Sequence, residues 1–293
     1  MQTAVGFVGL GIMGLPMARN LAAKGFSVFA YDIDAERVKL AGASNIVGAS
    51  IADIGNQCTV VFTSLPNGKI AKMAITETGG LSSYLAEGSI VVDTSSITPN
   101  ESRYIAAELE KRGIDFLDAP VSGGEPKAID GTLAFMVGGK QAAFEKVMPY
   151  LKAMGSSFVR IGESGSGSIT KLVNQIIVNL NIAVLGEALV FAQKAGADPE
   201  LVFQAIRNGL AGSTVMEAKT PMILARDFKP GGKLSINRKD IGNVLETAHE
   251  LEIPVPFTAQ LFEIMQSLKA KGLMEEDHAA LVKHFEELAR LNP

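Results

Sequence analysis

The first half of the chain alternates short apolar or β-branched runs with stretches of helical periodicity. Five runs stand out: Val5 to Val8, Val28 to Tyr31, Val60 to Ser64, Ile90 to Asp93 and Phe116 to Asp118. Each has the length of a strand, and the intervening segments have the length of crossover helices, so the pattern predicts a parallel sheet covered by helices. One helix start is directly legible. Thr98 caps, Pro99 takes the first helical position and Glu101 completes a Thr-x-x-Glu capping box. The strand Ile90 to Asp93 therefore ends in a loop before that helix, and ligands of open α/β sheets collect at such C-terminal strand ends.

Beyond Gly167 the pattern changes. From Ile169 to about Ala195 the chain carries helix formers and apolar residues, no proline, and one interior glycine, Gly186. This predicts one helix on the order of 40 Å long at 1.5 Å per residue. Asp198-Pro199 opens another helix that Gly209 can stop, and helical patterns run from about Lys239 to Leu251 and from Phe257 to the end. The expected fold class is α/β: an N-terminal Rossmann-type, doubly wound sheet over residues 1–163, then an all-helical domain over 164–293 that begins with the long helix. A cleft between two such domains is the default ligand site. Ile176, Ile177, Leu180, Ile182, Leu185 and Leu189 lie on more faces of the long helix than one small domain would bury, which predicts a homodimer or homotetramer formed through the helical half.

Composition narrows the function classes. With 47% hydrophobic and 20% charged residues the chain has ample material for a core. A net charge of −4, without a basic stripe, argues against a nucleic-acid partner. The single cysteine, Cys58, excludes an internal disulfide and a cysteine-rich metal cage; it reads as a buried small hydrophobe and fits a reducing cytoplasm. No metal site is expected. Ala4 to Val8 lacks a basic flank and runs into glycines, unlike a signal peptide. No apolar run approaches the roughly 20 residues of a membrane span, so no membrane association is expected.

The first predicted strand leads into Gly9-Leu10-Gly11-Ile12-Met13-Gly14, a Gly-x-Gly-x-x-Gly turn that opens a helix. In that context the motif reads as a dinucleotide site. Gly9 permits the tight turn, Gly11 lets backbone amides approach a pyrophosphate, and Gly14 lets the helix pack close to the strand. The helix N-terminus then offers unpaired N–H groups and partial positive charge to the phosphates. Asp32, at the end of the second strand, either binds the adenosine ribose or caps a turn. With Ile33 and Asp34 following, a 2′-phosphate would meet carboxylates before Arg37, the first cation downstream, so NAD is favoured, and NADP stays open if Arg37 swings back from the next helix. Leu65-Pro66-Asn67 and Asp93-Thr94-Ser95-Ser96 leave strand ends on the same rim, where they either line the nicotinamide half or serve as turns and caps.

A dehydrogenase also needs a group to handle the alcohol proton. His249, His278 and His284 all fall in the helical C-terminal third, away from any glycine-rich or strand-end loop, and read as surface helix residues. Lys171 follows Gly162-Glu163-Ser164-Gly165-Ser166-Gly167 at the start of the long helix, with Asn174 and Gln175 on the same face. Among Ile169, Leu172 and Val173 its ammonium would lose part of its hydration, easing proton exchange with an alkoxide. Ser122-Gly123-Gly124 leaves another strand end, where it forms either an amide nest for a carboxylate or a tight connection.

Together these residues resemble the β-hydroxyacid dehydrogenase family, which includes 3-hydroxyisobutyrate dehydrogenase, tartronate semialdehyde reductase and, more remotely, 6-phosphogluconate dehydrogenase. The likeness spans nearly the whole chain and is most specific at Phe7 to Met17, Asp118 to Gly124 and Gly167 to Lys171. Gly123 to Leu133, with Leu210 to Val215, looks most like the tartronate semialdehyde reductase branch. The resemblance implies that Lys171 is the general acid in aldehyde reduction and the base in alcohol oxidation. It also implies that Ser122, Gly123 and Gly124 hold a substrate carboxylate, that Ser96 contacts the cofactor near the nicotinamide, and that Lys239 reaches into the cleft. Two departures stand out. Many relatives carry asparagine four residues after the lysine, where this chain has Gln175, and Gly232-Lys233 stands where relatives often place an aromatic and a variable residue. The latter implies a wider or more cationic pocket. A small carboxylic acid or aldehyde is the expected substrate, tartronate semialdehyde and D-glycerate the first pair; 3-hydroxyisobutyrate, longer polyhydroxy acids, and a non-catalytic dinucleotide sensor are the alternatives.

Overall fold

The computed structural model describes residues 4–42 and 45–291. Among these, nine strands form one sheet: β1 Ala4–Val8, β2 Ser27–Tyr31, β3 Ile46–Gly48, β4 Val60–Thr63, β5 Ile90–Asp93, β6 Asp115–Asp118, β7 Val121–Ser122, β8 Leu133–Gly139 and β9 Gly155–Gly162. Their order is β3-β2-β1-β4-β5-β6-β8-β7, with β9 on β8. The first six are parallel. This is the doubly wound dinucleotide-binding order, which reverses direction between β1 and β4 and opens a crevice there. β8 runs antiparallel to β6 and β7, and β9 lies parallel to β8.

Alternation along the central strands explains why both faces are covered. Val5, Phe7, Phe62, Val92 and Leu117 point into one core with Met17, Leu21 and Leu151. Val8, Val61, Val91 and Phe116 point into the other with Ile54, Ile75, Ile105 and Leu109. The five strand runs read from the sequence are β1, β2, β4, β5 and β6. β3, β7, β8 and β9 escaped that reading: β3 and β7 are short, β9 is largely exposed or half-buried, and β8, though largely buried, ends in two glycines that weaken its apolar signal. The capping box of Thr98 and Glu101 forms as read, at the start of the helix Pro99–Glu110.

The chain divides into two compact units, Met1–Lys171 and Leu172–Pro293. The division falls inside the long helix, Ser166–Lys194. In the second unit this helix is the spine: Ile182 packs with Leu234, Ile241, Leu261 and Met265, and Leu185 and Leu189 pack with Phe203, Met216, Ile223 and Val282. The helix Pro199–Ile206 starts at Asp198 as read and ends before Gly209. The helix Thr214–Leu224 was not legible, because Pro221 sits inside it.

One expectation is corrected. The long helix is apolar enough to cross a membrane by length and composition, with a mean hydropathy of 1.7 over its most apolar window. Asn174, Gln175 and Asn179 interrupt its apolar runs, which hid this in a count of consecutive residues. Half of that window is buried inside the protein. Asn179 is fully buried and Gln175 nearly so, both hydrogen-bonded, so the segment is a core helix.

Candidate active site

The glycine turn is fixed by close backbone packing. Gly9 adopts φ +94° and donates its N–H to Tyr31 O at 2.8 Å. A Cβ at Gly9 would lie 2.3 Å from Ser64 O, and one at Gly14 would lie 1.9 Å from Gly9 O. Neither position accepts a side chain. Gly11 differs: a Cβ there would meet only Arg37 Nη1, at 3.4 Å, so this part of the turn opens outward. Leu10 is buried and Met13 packs on the core, while Ile12 is exposed. The helix Gly14–Ala23 begins with no side-chain cap and no acid in its first turn. Its partial positive end therefore faces the opening at Gly11, and the cradle fits a pyrophosphate.

Asp32 is pinned just beyond the end of β2 by two backbone donors. Its Oδ2 accepts from Leu10 N at 2.6 Å and its Oδ1 from Asp34 N at 2.8 Å. A carboxylate has about four acceptor positions, so two remain for ribose hydroxyls. Arg37 turns back over this edge, with Nη1 3.9 Å from Asp32 Oδ2 and Nε 3.5 Å from Asp34 Oδ2.

Two further rim loops are laced together by Asp93, a buried carboxylate that the sequence reading did not single out. Its Oδ1 accepts from Thr63 Oγ1 at 2.7 Å and from Ser95 Oγ at 2.5 Å. Ser95 Oγ in turn accepts from Leu65 N at 2.8 Å. Half-buried Ser96 follows directly, so the strand ends of β4 and β5 hold Leu65 and Ser96 on one rim. Pro66 and Asn67 are exposed, and Asn67 Oδ1 caps the helix Gly68–Thr76 through Ile70 N at 3.0 Å. For Asn67 the cap is the role the geometry displays.

The structure brings Lys171 to the Ser122–Gly124 loop. Lys171 Nζ donates to Val121 O at 2.9 Å. Gly123 and Gly124 adopt φ +138° and +69°, and a Cβ at Gly123 would lie 2.7 Å from Lys127 Cβ. Lys171 Nζ thus contacts the strand that leads directly into this side-chain-free backbone. Of the three apolar neighbours read around Lys171, only Leu172 is buried; Ile169 and Val173 are exposed. The start of the long helix is held by Asp118, whose carboxylate accepts from Gly165 N and Ser168 N, each at 2.8 Å. Burial pushes the Asp118 carboxyl up to about 6, and the charge of Asp93, its register partner on β5, adds to the rise. The signal for both acids was a carboxylate closing an otherwise apolar strand.

In the second unit Asn174 Nδ2 donates to Gln175 Oε1 at 3.0 Å. Gln175 Nε2 donates to Asp240 Oδ2 at 2.6 Å and to Asn237 Oδ1 at 3.3 Å. Lys239 Nζ lies 2.9 Å from Asp240 Oδ1. The longer amide at position 175 thus reaches a buried carboxylate within its own unit. Gly231 and Gly232 are fixed by donating to Asp277 Oδ2, at 3.0 and 2.9 Å. The surface reading of His278 is corrected. It is buried, with Nδ1 3.3 Å from Asn179 Oδ1 on the long helix. Cys58 is buried as read, and burial pushes its thiol up to about 11. No cluster of potential metal ligands occurs among the described residues.

Comparison with known proteins agrees with this geometry. A family model described as the NAD binding domain of 6-phosphogluconate dehydrogenase matches residues 4–162. A second, described as the NAD-binding of NADP-dependent 3-hydroxyisobutyrate dehydrogenase, matches residues 165–285. The chain is 38% identical to the 2-hydroxy-3-oxopropionate reductase of Escherichia coli (strain K12), over 97% of this chain and 98% of that one. It is 37% identical to the 2-(hydroxymethyl)glutarate dehydrogenase of Eubacterium barkeri, over 97% and 95% of the two chains. The crystal structure of 3-hydroxyisobutyrate dehydrogenase from Salmonella typhimurium superimposes with a TM-score of 0.85 at 29% identity, covering 96% of this chain and 99% of that one. The chain belongs to the β-hydroxyacid dehydrogenase family, the NAD(P)-dependent oxidoreductases that act on CH–OH groups.

Proposed function

We propose that this enzyme interconverts tartronate semialdehyde and D-glycerate, with NAD(H) as its preferred cofactor. The observation that carries the reading is Lys171 Nζ, 2.9 Å from Val121 O at the edge of the Ser122–Gly124 loop. A carboxylate held by Ser122 and the amides of Gly123 and Gly124 leaves the β-carbon of a short acid within reach of the ammonium. The bound dinucleotide supplies or accepts the hydride. Lys171 gives its proton to the carbonyl oxygen in reduction and takes the hydroxyl proton in oxidation. Leu65 and Ser96 line the nicotinamide half, Asp32 binds the adenosine ribose, and the carboxylates of Asp32 and Asp34 oppose a 2′-phosphate. Residues 1–163 are assigned the main cofactor-binding part; within residues 164–293, Asn174 and Gln175 are assigned to the substrate and Lys239 to the cofactor.

The name of the Escherichia coli relative, 2-hydroxy-3-oxopropionate reductase, supports this substrate. A second reading, oxidation of 3-hydroxyisobutyrate, draws on relatives such as the mitochondrial Bos taurus enzyme of that name, at 31% identity. Cys58, as the one cysteine, suits a reducing cytoplasm. Of the residues read as an association face, Ile182, Leu185 and Leu189 are buried within the helical unit itself, but Ile177 with Val173, Val184 and Phe191 forms an exposed apolar stripe, which suits self-association through the helical half.

The test is a panel of short hydroxy acids and semialdehydes, each assayed with NAD(H) and NADP(H). The expected result is the highest kcat/KM with tartronate semialdehyde and NADH. A higher value with methylmalonate semialdehyde or 3-hydroxyisobutyrate would transfer the assignment to the second reading. Nucleotide binding without turnover on any member would refute catalysis altogether.

A further inference from the structure

The adenosine edge of the site contains a charge arrangement that the cofactor reading leaves unexplained. Arg37 is the cation that pairs with Asp32 at this edge, and Asp34 engages it as well. Its Nε lies 3.5 Å from Asp34 Oδ2 and its Nη1 3.9 Å from Asp32 Oδ2. Among the described residues, and leaving aside Gly11's own chain neighbours, the same Nη1 is the one heavy atom that a Cβ at Gly11 would meet, so the guanidinium overhangs the opening of the glycine turn. One cation between two carboxylates leaves this corner with a net negative charge. The next pair on the same helix, Glu36 and Lys39, is mutually neutralised at 2.6 Å and adds no net charge. A 2′-phosphate bears close to two negative charges near neutral pH. It would therefore meet net repulsion beside an arginine whose geometry otherwise suits phosphate.

We propose that Asp34 is the cofactor-specificity residue of this enzyme: it holds Arg37 away from a 2′-phosphate, and removing its charge alone opens the site to NADP. This rests on the dinucleotide reading of the glycine turn and on the NAD preference proposed above. Asp32 is the less informative target, because its carboxylate also pins Leu10 N and a substitution there disturbs the turn itself. Asp34 offers a cleaner change. Its Oδ1 caps the helix Ala35–Ala41 by accepting from Glu36 N at 3.0 Å. Asparagine caps a helix as well as aspartate does, so Asp34→Asn removes the charge and keeps the cap.

The experiment measures dissociation constants of NADH and NADPH, through nicotinamide fluorescence, for the wild type, Asp34→Asn and the double variant Asp34→Asn/Arg37→Ala. The wild type is expected to favour NADH. Asp34→Asn is expected to move the NADH-to-NADPH ratio about tenfold toward NADPH, and adding Arg37→Ala to take that gain back. A ratio within twofold of wild type in Asp34→Asn would overturn the proposal, as would a gain that persists without Arg37. A wild-type chain that binds neither nucleotide would overturn the dinucleotide reading instead, so the two failures are distinct.

Discussion

Asp118→Asn tests the electrostatics that hold the start of the Lys171-bearing helix. The Asp118 carboxylate is buried and accepts two backbone N–H groups, from Gly165 and Ser168. Even so, burial raises its pKa from 3.8 to about 6. The fold thus prefers the protonated acid: this contribution to stability is fully present below pH 3.8 and is lost as pH rises through about 6. A shift of about two units, at 1.36 kcal/mol each, amounts to roughly 3 kcal/mol. Asparagine does not titrate, so the difference in unfolding free energy between Asp118→Asn and wild type should move by roughly 2 kcal/mol in the variant's favour between pH 4 and pH 7, most of the full shift. Its absolute level is set separately by the altered hydrogen bonds to Gly165 and Ser168, and only the change with pH carries the test. Urea unfolding of both proteins across that range, followed by circular dichroism, measures it. A difference that stays flat, or moves the other way, would refute the burial argument.

Gly14→Ala should weaken NADH binding at least tenfold, because its Cβ would sit 1.9 Å from Gly9 O and neither backbone can yield without opening the turn; an unchanged dissociation constant would show that the packing is not needed. Sedimentation velocity at micromolar concentration should give a dimer or larger species, since the stripe of Val173, Ile177, Val184 and Phe191 is otherwise left in water. A sole monomer boundary would contradict the proposed self-association.

The glycine turn, the central strands and the long helix were legible because each depends on local pattern: glycine spacing, a short β-branched run, a stretch without breakers. The supporting carboxylates were not. Asp93 and Asp118 look like ordinary strand-end acids in the sequence, and their importance lies in partners distant along the chain, such as Thr63 for Asp93 and Ser168 for Asp118. Gln175 shows the same limit. Its extra methylene looked like a departure in a substrate ligand, and that it also reaches Asp240, 65 positions away, required coordinates. His278 read as surface because it lies in a helical stretch, yet its contact with Asn179 buries it. Arg37 was visible as the first cation after Asp32, with its swing back left open; that it lies over Gly11 and pairs with both acids required coordinates.

The central claim is that Lys171 moves the proton while hydride passes to a short β-oxo acid. Its most direct test compares kcat of wild type and Lys171→Ala for NADH-dependent reduction of tartronate semialdehyde, with the NADH dissociation constant measured on both. A positioned acid–base group is worth about 10²- to 10⁴-fold, so the variant should lose at least about a hundredfold in kcat. Retention of a tenth or more of the wild-type kcat would contradict it.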